Sequence, residues 1–168
     1  ATSHAYSFAE PGAGKGSDHP VQDIEWYDMV KWCNARSEKE ELTPCYYTSA
    51  AKTTVYKSGR VDIENDWVRW DADGYRLPTE AEWEKAARGG VAGHRFPWSD
   101  SDTIQHAQAN YYSYWEGGAP YWPYDTSPTE GHHPAFDDGW YPYTSPVGYL
   151  APNGYGLYDM AGDVNELC

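Results

Sequence analysis

Apolar and polar positions are arranged in three ways along the 168-residue chain, and each arrangement predicts a different kind of structure. From Trp26 the apolar residues Trp26, Met29, Val30 and Cys33 fall at i, i+3, i+4 and i+7, one face of a helix. Asp28 early and Lys31 and Arg36 later suit the helix dipole. A helix is expected over about Trp26–Lys39. A second helix is expected over residues 80–88. Thr79 stands three residues before Glu82, the spacing of a capping box. Pro78 keeps Leu77 extended. Glu80, Glu82 and Glu84 lie at the positive end of the dipole, Lys85 and Arg88 at the negative end, and Gly89-Gly90 supplies a left-handed stop.

The second arrangement is strand-like. PVQDIE, residues 20–25, alternates enough for a short strand. Residues 42–72 read as a β-hairpin region, because TPCYYT, TTVYKSG and RVDI are rich in β-branched and aromatic residues. Turns are marked by Ser58-Gly59 and Asn65-Asp66. In the third arrangement, residues 91–150, periodicity is nearly absent. Aromatic residues are abundant there, which argues for ordered irregular loops and against disorder. Residues 1–19 read as a loop leading into Pro20. Its run GAGKGSDHP resembles a phosphate loop only superficially, lacking the following Ser/Thr and a preceding strand. There is no internal repeat.

Composition sharpens this picture. With 16 Gly and 12 Pro, turns should dominate; with 9 Trp, 16 Tyr and 3 Phe, the core should be made of rings whose polar tips want partners. The net charge of -14 argues against nucleic acid and anionic membranes. An acidic surface is ordinarily solubilising; the specific alternative is that some carboxylates converge on a hard cation such as calcium. No apolar run approaches a membrane span. The chain starts at Ala1 without an initiator Met or signal peptide, as a processed, trimmed or partial sequence would. Cys33, Cys45 and Cys168 are an odd number with no CxxC, so a closed disulfide framework is not expected and Cys33 reads as a buried core thiol.

Candidate chemistry is concentrated near the end. Asp159, Asp163 and Glu166 fall within eight residues, interrupted by Gly162. A tight glycine turn lets backbone carbonyls face the same centre as flanking carboxylates, which is how calcium collects oxygen ligands. The EF-hand pattern is absent, and on spacing alone a capped turn with solvated acids is the plainer reading. The six histidines show no helical i, i+4 pairing, and His132-His133 reads as surface loop. Serines and aspartates form no nucleophile elbow. The aromatic run Tyr111–Tyr124 can stack on sugars, but core and loop packing is favoured by about three to one on general priors.

GYRLPTEAEWEKAARGG, WYDMVKWC, FPWSD and the closing TSPVGYLAPNGYGLYDMAGDVNEL together resemble the formylglycine-generating enzyme (sulfatase-modifying factor) family. The resemblance implies an α+β fold related to C-type-lectin-like modules, rich in irregular loops, with two short helices and small antiparallel sheets. It implies one domain over 1–168, partial because the family's N-terminal segment and C-terminal catalytic segment are absent. Two calcium sites are implied. One uses the side chains of Asp159 and Glu166 with the carbonyls of Gly162 and Val164. The other uses Asn110, the carbonyl of Tyr111, Asp138 and the carbonyl of Trp140.

The family oxidises a cysteine of an unfolded sulfatase, in Cys-x-Pro-x-Arg, to formylglycine. It uses oxygen and a Cu(I)-binding cysteine pair, thiolates suiting that soft ion. No residue here matches that pair, so copper is expected only for a complete enzyme and no catalytic residue is assigned. Asn165 and Leu167 stand where the family has tryptophans, the first of which lines the substrate cleft. By resemblance Cys33 would pair with a distant cysteine, for which only Cys45 or Cys168 could substitute here. The expectation is therefore an incomplete or inactive formylglycine-generating-enzyme-like domain, with an unfolded sulfatase peptide or other protein as partner. The alternative is a calcium-stabilised lectin-like module binding protein or glycan. A further branch, the iron-dependent sulfoxide synthases, uses a histidine triad on a separate helical domain not visible here. An extracytoplasmic or secreted setting is expected by association. Exposed sheet edges would favour self-association.

Overall fold

A computed structural model describes residues 5–98 and 100–168. Its contacts sort into two compact units, one holding residues 5–13 and 21–78, the other residues 14–20 and 79–166.

In the first unit β1 (Pro11–Ala13) pairs antiparallel with β2 (Gln22–Ile24), Pro11 opposite Ile24 and Ala13 opposite Gln22. The short strand expected within 20–25 is thus present. The strand before the glycine run was not expected; β1 exists because β2 supplies its ladder partners. Helix α1 occupies Trp26–Lys39, as its periodicity predicts. Val30 and Cys33 pack with Cys45, Tyr46, Tyr56 and Val68 into the apolar core.

Four polar residues of α1 are buried as well, and each is bonded. Lys31 Nζ lies 2.6 Å from Asp28 Oδ1 and donates to the carbonyls of Ser7 (2.8 Å) and Gly59 (3.2 Å). Burial pushes the Asp28 carboxyl up, but Lys31 and the backbone N–H groups of Glu10 and Ala9 outweigh it and hold it below the usual range. Asn34 Oδ1 accepts from the N–H groups of Cys45 (3.1 Å) and Tyr46 (3.0 Å), and its amide donates to the carbonyls of Tyr46 (2.8 Å) and Tyr56 (3.1 Å). This corrects the β-hairpin expected over 42–72. Among the described residues no strand forms there, only isolated antiparallel bridges of Tyr46 with Val68 and Tyr47 with Val55. Asn34 takes backbone groups that a ladder would otherwise pair. The Asn65-Asp66 turn opens a 3-10 turn, Asn65–Trp67.

In the second unit α2 spans Glu80–Arg88, with both halves of the capping box in place. Thr79 Oγ1 accepts from the Glu82 N–H at 3.3 Å, and Glu82 Oε2 accepts from the Thr79 N–H at 2.9 Å. Gly89, at φ 56°, ends the helix. A two-stranded hairpin, β3 (Trp115–Glu116) and β4 (Ala119–Pro120), turns through Gly117-Gly118. The remainder is loop, as the aperiodic stretch predicts, closed by isolated bridges such as Asn110 with Gly162.

Its interior is largely polar. Asp125 accepts from Tyr111 Oη (2.5 Å), Ser113 Oγ (2.6 Å) and the Ser127 N–H (2.9 Å). His133 is buried, its ring 5.4 Å from that of His106. This corrects the surface-loop reading of His132-His133: alternate residues face opposite ways, and one of them faces the interior. The core-and-loop-packing reading of the aromatic run is corrected in its core part only. Tyr112, Tyr114, Tyr121 and Trp122 are each about half exposed, while Tyr111, Trp115 and Tyr124 are partly buried. Tyr114, Tyr121, Trp122 and Tyr124 pack ring against ring in the loop. Cys33 and Cys45 are buried and Cys168 exposed, all as free thiols. Among the described residues no helix is long and apolar enough to cross a membrane.

Candidate metal centre

The centre is built on α2. Asn153 donates from its amide to the carbonyls of Ala86 (2.7 Å) and Ala87 (3.1 Å) in the last turn of the helix, the first of which also accepts from the Gly89 N–H (3.1 Å). Its Oδ1 accepts from the N–H groups of Tyr155 (2.9 Å) and Leu157 (3.1 Å), folding the PNGYGL turn against the helix. Trp83 Nε1 donates to Glu166 Oε2, so the same helix also anchors the last acid of the block.

Between these anchors the chain passes through left-handed conformations at Asp159 (φ 56°), Gly162 (φ 84°) and Asp163 (φ 65°). Aspartate tolerates that region better than most residues. At Gly162 no side chain fits, because a Cβ would stand 2.2 Å from the Asn110 carbonyl oxygen. These turns gather Asp159, Gly162, Val164 and Glu166 around one cavity of about 470 Å³, with Val147 and Tyr158 also in its wall. Asp159 Oδ2 accepts from the Gly148 N–H at 2.7 Å. Asp159 Oδ1 is buried and has no hydrogen-bond partner.

The second expected set is arranged differently. Asn110 donates to the Tyr143 carbonyl and to Asp163 Oδ1, both at 2.8 Å. The Tyr111 carbonyl lies 3.2 Å from His106 Nε2. Asp138 pairs with Lys15 at 2.7 Å and accepts from the Trp140 N–H at 3.1 Å; Trp140 itself is 76% exposed. Lys15, then the Trp140 N–H, hold the Asp138 carboxyl below the usual range. Among the described residues no hydrogen bond joins Asn110 or Tyr111 to Asp138 or Trp140, and no three His, Cys, Asp or Glu side chains gather as a metal cluster. Asp163, part of the acidic run but not of either ligand set, is a clamp: its Oδ1 also accepts from the Ser145 N–H at 2.7 Å. Spacing gave no signal for that role, since Ser145 and Asn110 lie far from Asp163 in sequence.

The model of the sulfatase-modifying factor enzyme 1-like domain matches residues 3–168. The chain belongs to this family. It is 37% identical to the chaperone protein LppX of Paenibacillus barcinonensis over 171 residues, covering 94% of this chain and 54% of LppX. It is 44% identical over 95 residues to the formylglycine-generating enzyme of Thermomonospora curvata, covering 56% of this chain and 27% of that enzyme. Among solved structures, CarF matches with a TM-score of 0.61 and 28% identity, covering 94% of this chain and 56% of CarF. The chain thus spans about half the length of LppX and of CarF. Few helices, small antiparallel sheets and long ordered loops are the irregular α+β fold of this sulfatase-modifying factor family, as the four quoted motifs imply.

Proposed function

We propose that this chain is the calcium-pinned framework of a formylglycine-generating-enzyme-type domain, and that its own residues do not suffice for the oxidation of a sulfatase cysteine. The observation that carries the calcium reading is the buried, unpartnered Oδ1 of Asp159, a residue that lines one cavity with Gly162, Val164 and Glu166. A buried carboxylate oxygen without a partner is costly, and a hard cation with oxygen ligands removes that cost. Asp159 and Glu166 would hold the ion with the two carbonyls. The ion would supply charge neutralisation and a cross-link between loops, and no chemical step is assigned to it. The second set, Asn110, Tyr111, Asp138 and Trp140, requires Lys15 to release Asp138.

Copper does not fit the thiols present. Cys33 and Cys45 are buried in an apolar core, away from any surface where a peptide and oxygen could meet, and Cys168 is an exposed free thiol. The deciding experiment combines calorimetric calcium titration with melting in calcium and in chelator. Binding, a calcium-dependent rise in Tm, and loss of both in Asp159→Asn are expected; no bound calcium would refute the reading. Incubation with Cu(I), oxygen and a Cys-x-Pro-x-Arg peptide should leave the peptide unoxidised, and an aldehyde product would overturn the second half of the proposal.

A second reading, a module that binds protein or glycan, is favoured by one observation: the half-exposed rings of Tyr112, Tyr114, Tyr121 and Trp122. Glycan-array binding lost in Trp122→Ala would support it.

A further inference from the structure

The second unit holds another cavity, of about 460 Å³, a size that suits a small organic molecule. Trp98, Pro152, Leu157 and Met160 give it apolar walls, and Asp100 and Gln108 give it polar ones. Most of the wall is already fixed by bonds made elsewhere. Trp98 Nε1 donates to the Thr103 carbonyl at 2.9 Å, and its ring stacks on Phe96 with centroids 5.0 Å apart. Asn153, also in the wall, spends its amide on Ala86 and Ala87 and its oxygen on Tyr155 and Leu157. Gln108 differs: its Oε1 is buried and has no hydrogen-bond partner. Two carboxylates, Asp100 and Asp159, belong to the wall, and among its described residues there is no Lys, Arg or His. Asp100 and Leu157 are exposed, so the cavity is reached from solvent.

We propose that this cavity binds a small primary ammonium ion carrying a compact apolar body. Gln108 Oε1 accepts from the ammonium, Asp100 balances its charge, and Trp98 with the apolar walls covers the body. A buried acceptor without a partner is costly, and a donor on the ligand removes that cost. Two carboxylates and no side-chain cation select a positive ligand over an anion, and the net charge of -14 draws cations towards the chain. The apolar walls select an organic body over a bare metal ion, which needs oxygen ligands around it. Asp159 borders both this cavity and the calcium cavity. The ammonium is assigned to Gln108 and Asp100, which do not line the calcium cavity, so the proposal does not rest on the calcium reading.

The test titrates phenethylamine into the full chain, with phenethyl alcohol as its uncharged counterpart, followed by protein-observed NMR in chelator and again in calcium. The amine is expected to bind in both buffers, and the alcohol about tenfold more weakly. Gln108→Leu keeps the bulk of the side chain and removes the acceptor; it should weaken the amine about tenfold. Asp100→Asn changes an exposed residue and leaves the fold intact. It should weaken the amine about threefold at low salt, with the difference lost at high salt, and leave the alcohol unchanged. Absence of amine binding would overturn the site, and equal binding of amine and alcohol would overturn the ligand class. Full affinity in Gln108→Leu would overturn the anchor. Amine binding in chelator that calcium abolishes would place the amine on Asp159 and overturn the separate site.

Discussion

In the first unit a helix supplies the interior and loops are tied to it; in the second, carboxylates and carboxamides supply the interior and loops are tied to them. Val30 and Cys33 meet Tyr46, Tyr56 and Val68 in an apolar cluster, and the buried polar groups of α1 serve the surrounding backbone. The second unit buries fewer large apolar side chains, and Asp125, Asn153 and Asp163 hold backbone N–H or carbonyl groups that no ladder pairs. The difference teaches that the charge of this chain is not only a surface property. Some of its acids are structural partners, used where irregular backbone must be satisfied away from water.

The largest effect should come from breaking the ion pair of the first unit. Lys31→Met leaves Asp28 buried without its cation and frees the Ser7 carbonyl, while the Gly59 carbonyl keeps only the Tyr56 hydroxyl; a loss of about 3–5 kcal/mol is expected. Urea unfolding should show it, and a midpoint near wild type would mean that α1 does not depend on the pair. Next is Asp125→Ala in the second unit, which removes the acceptor of the Tyr111 and Ser113 hydroxyls and of the Ser127 N–H; about 2–4 kcal/mol is expected by the same measurement.

Acid should separate the two units. Burial, then His106, holds the His133 pKa below its ordinary value of about 6.5. The native state therefore favours neutral His133. Its stabilisation is complete above about pH 6.5 and is lost as pH falls through the folded value. Asp28 and Asp125 act lower. Burial raises both, but Lys31 outweighs it at Asp28, and Ser113, Tyr111 and Ser127 do so at Asp125; their contributions fade only below the ordinary aspartate value. Peptide-resolved hydrogen exchange, corrected for intrinsic rates, should show residues around His133 loosening first as the pH falls below about 6.5. His133→Phe should abolish that step, and simultaneous loosening of both units would contradict the assignment. The smallest effect is expected from Thr79→Ala, about 0.5–2 kcal/mol from loss of the α2 cap. An unchanged melt would show that Asn153 and Trp83 hold α2 without it.

Both helices were legible because their signals are local. The i, i+3, i+4, i+7 face starting at Trp26 and the Thr79/Glu82 capping box each lie within a few turns of chain. The acidic block was legible in the same way, though only as local geometry: Asp159, Gly162, Val164 and Glu166 are close in sequence and line one cavity. The second set joins residues nearly thirty positions apart, and nothing in its spacing foretold that Asn110 would bond Asp163 and that Asp138 would bond Lys15.

By itself, then, the sequence determined the helices, the capping box of α2, the family and the acidic turn at 159–166, since all of these depend on neighbours in the chain. Tertiary structure alone decided that residues 42–72 would be bonded by Asn34 instead of a ladder, that His133 would face inward and that Tyr114, Tyr121 and Trp122 would face outward. It also left Asp159 Oδ1 buried without a partner. The physical reason is that β-propensity and aromatic content describe what a segment can bury, while the backbone and side-chain partners that satisfy it arrive from elsewhere in the chain.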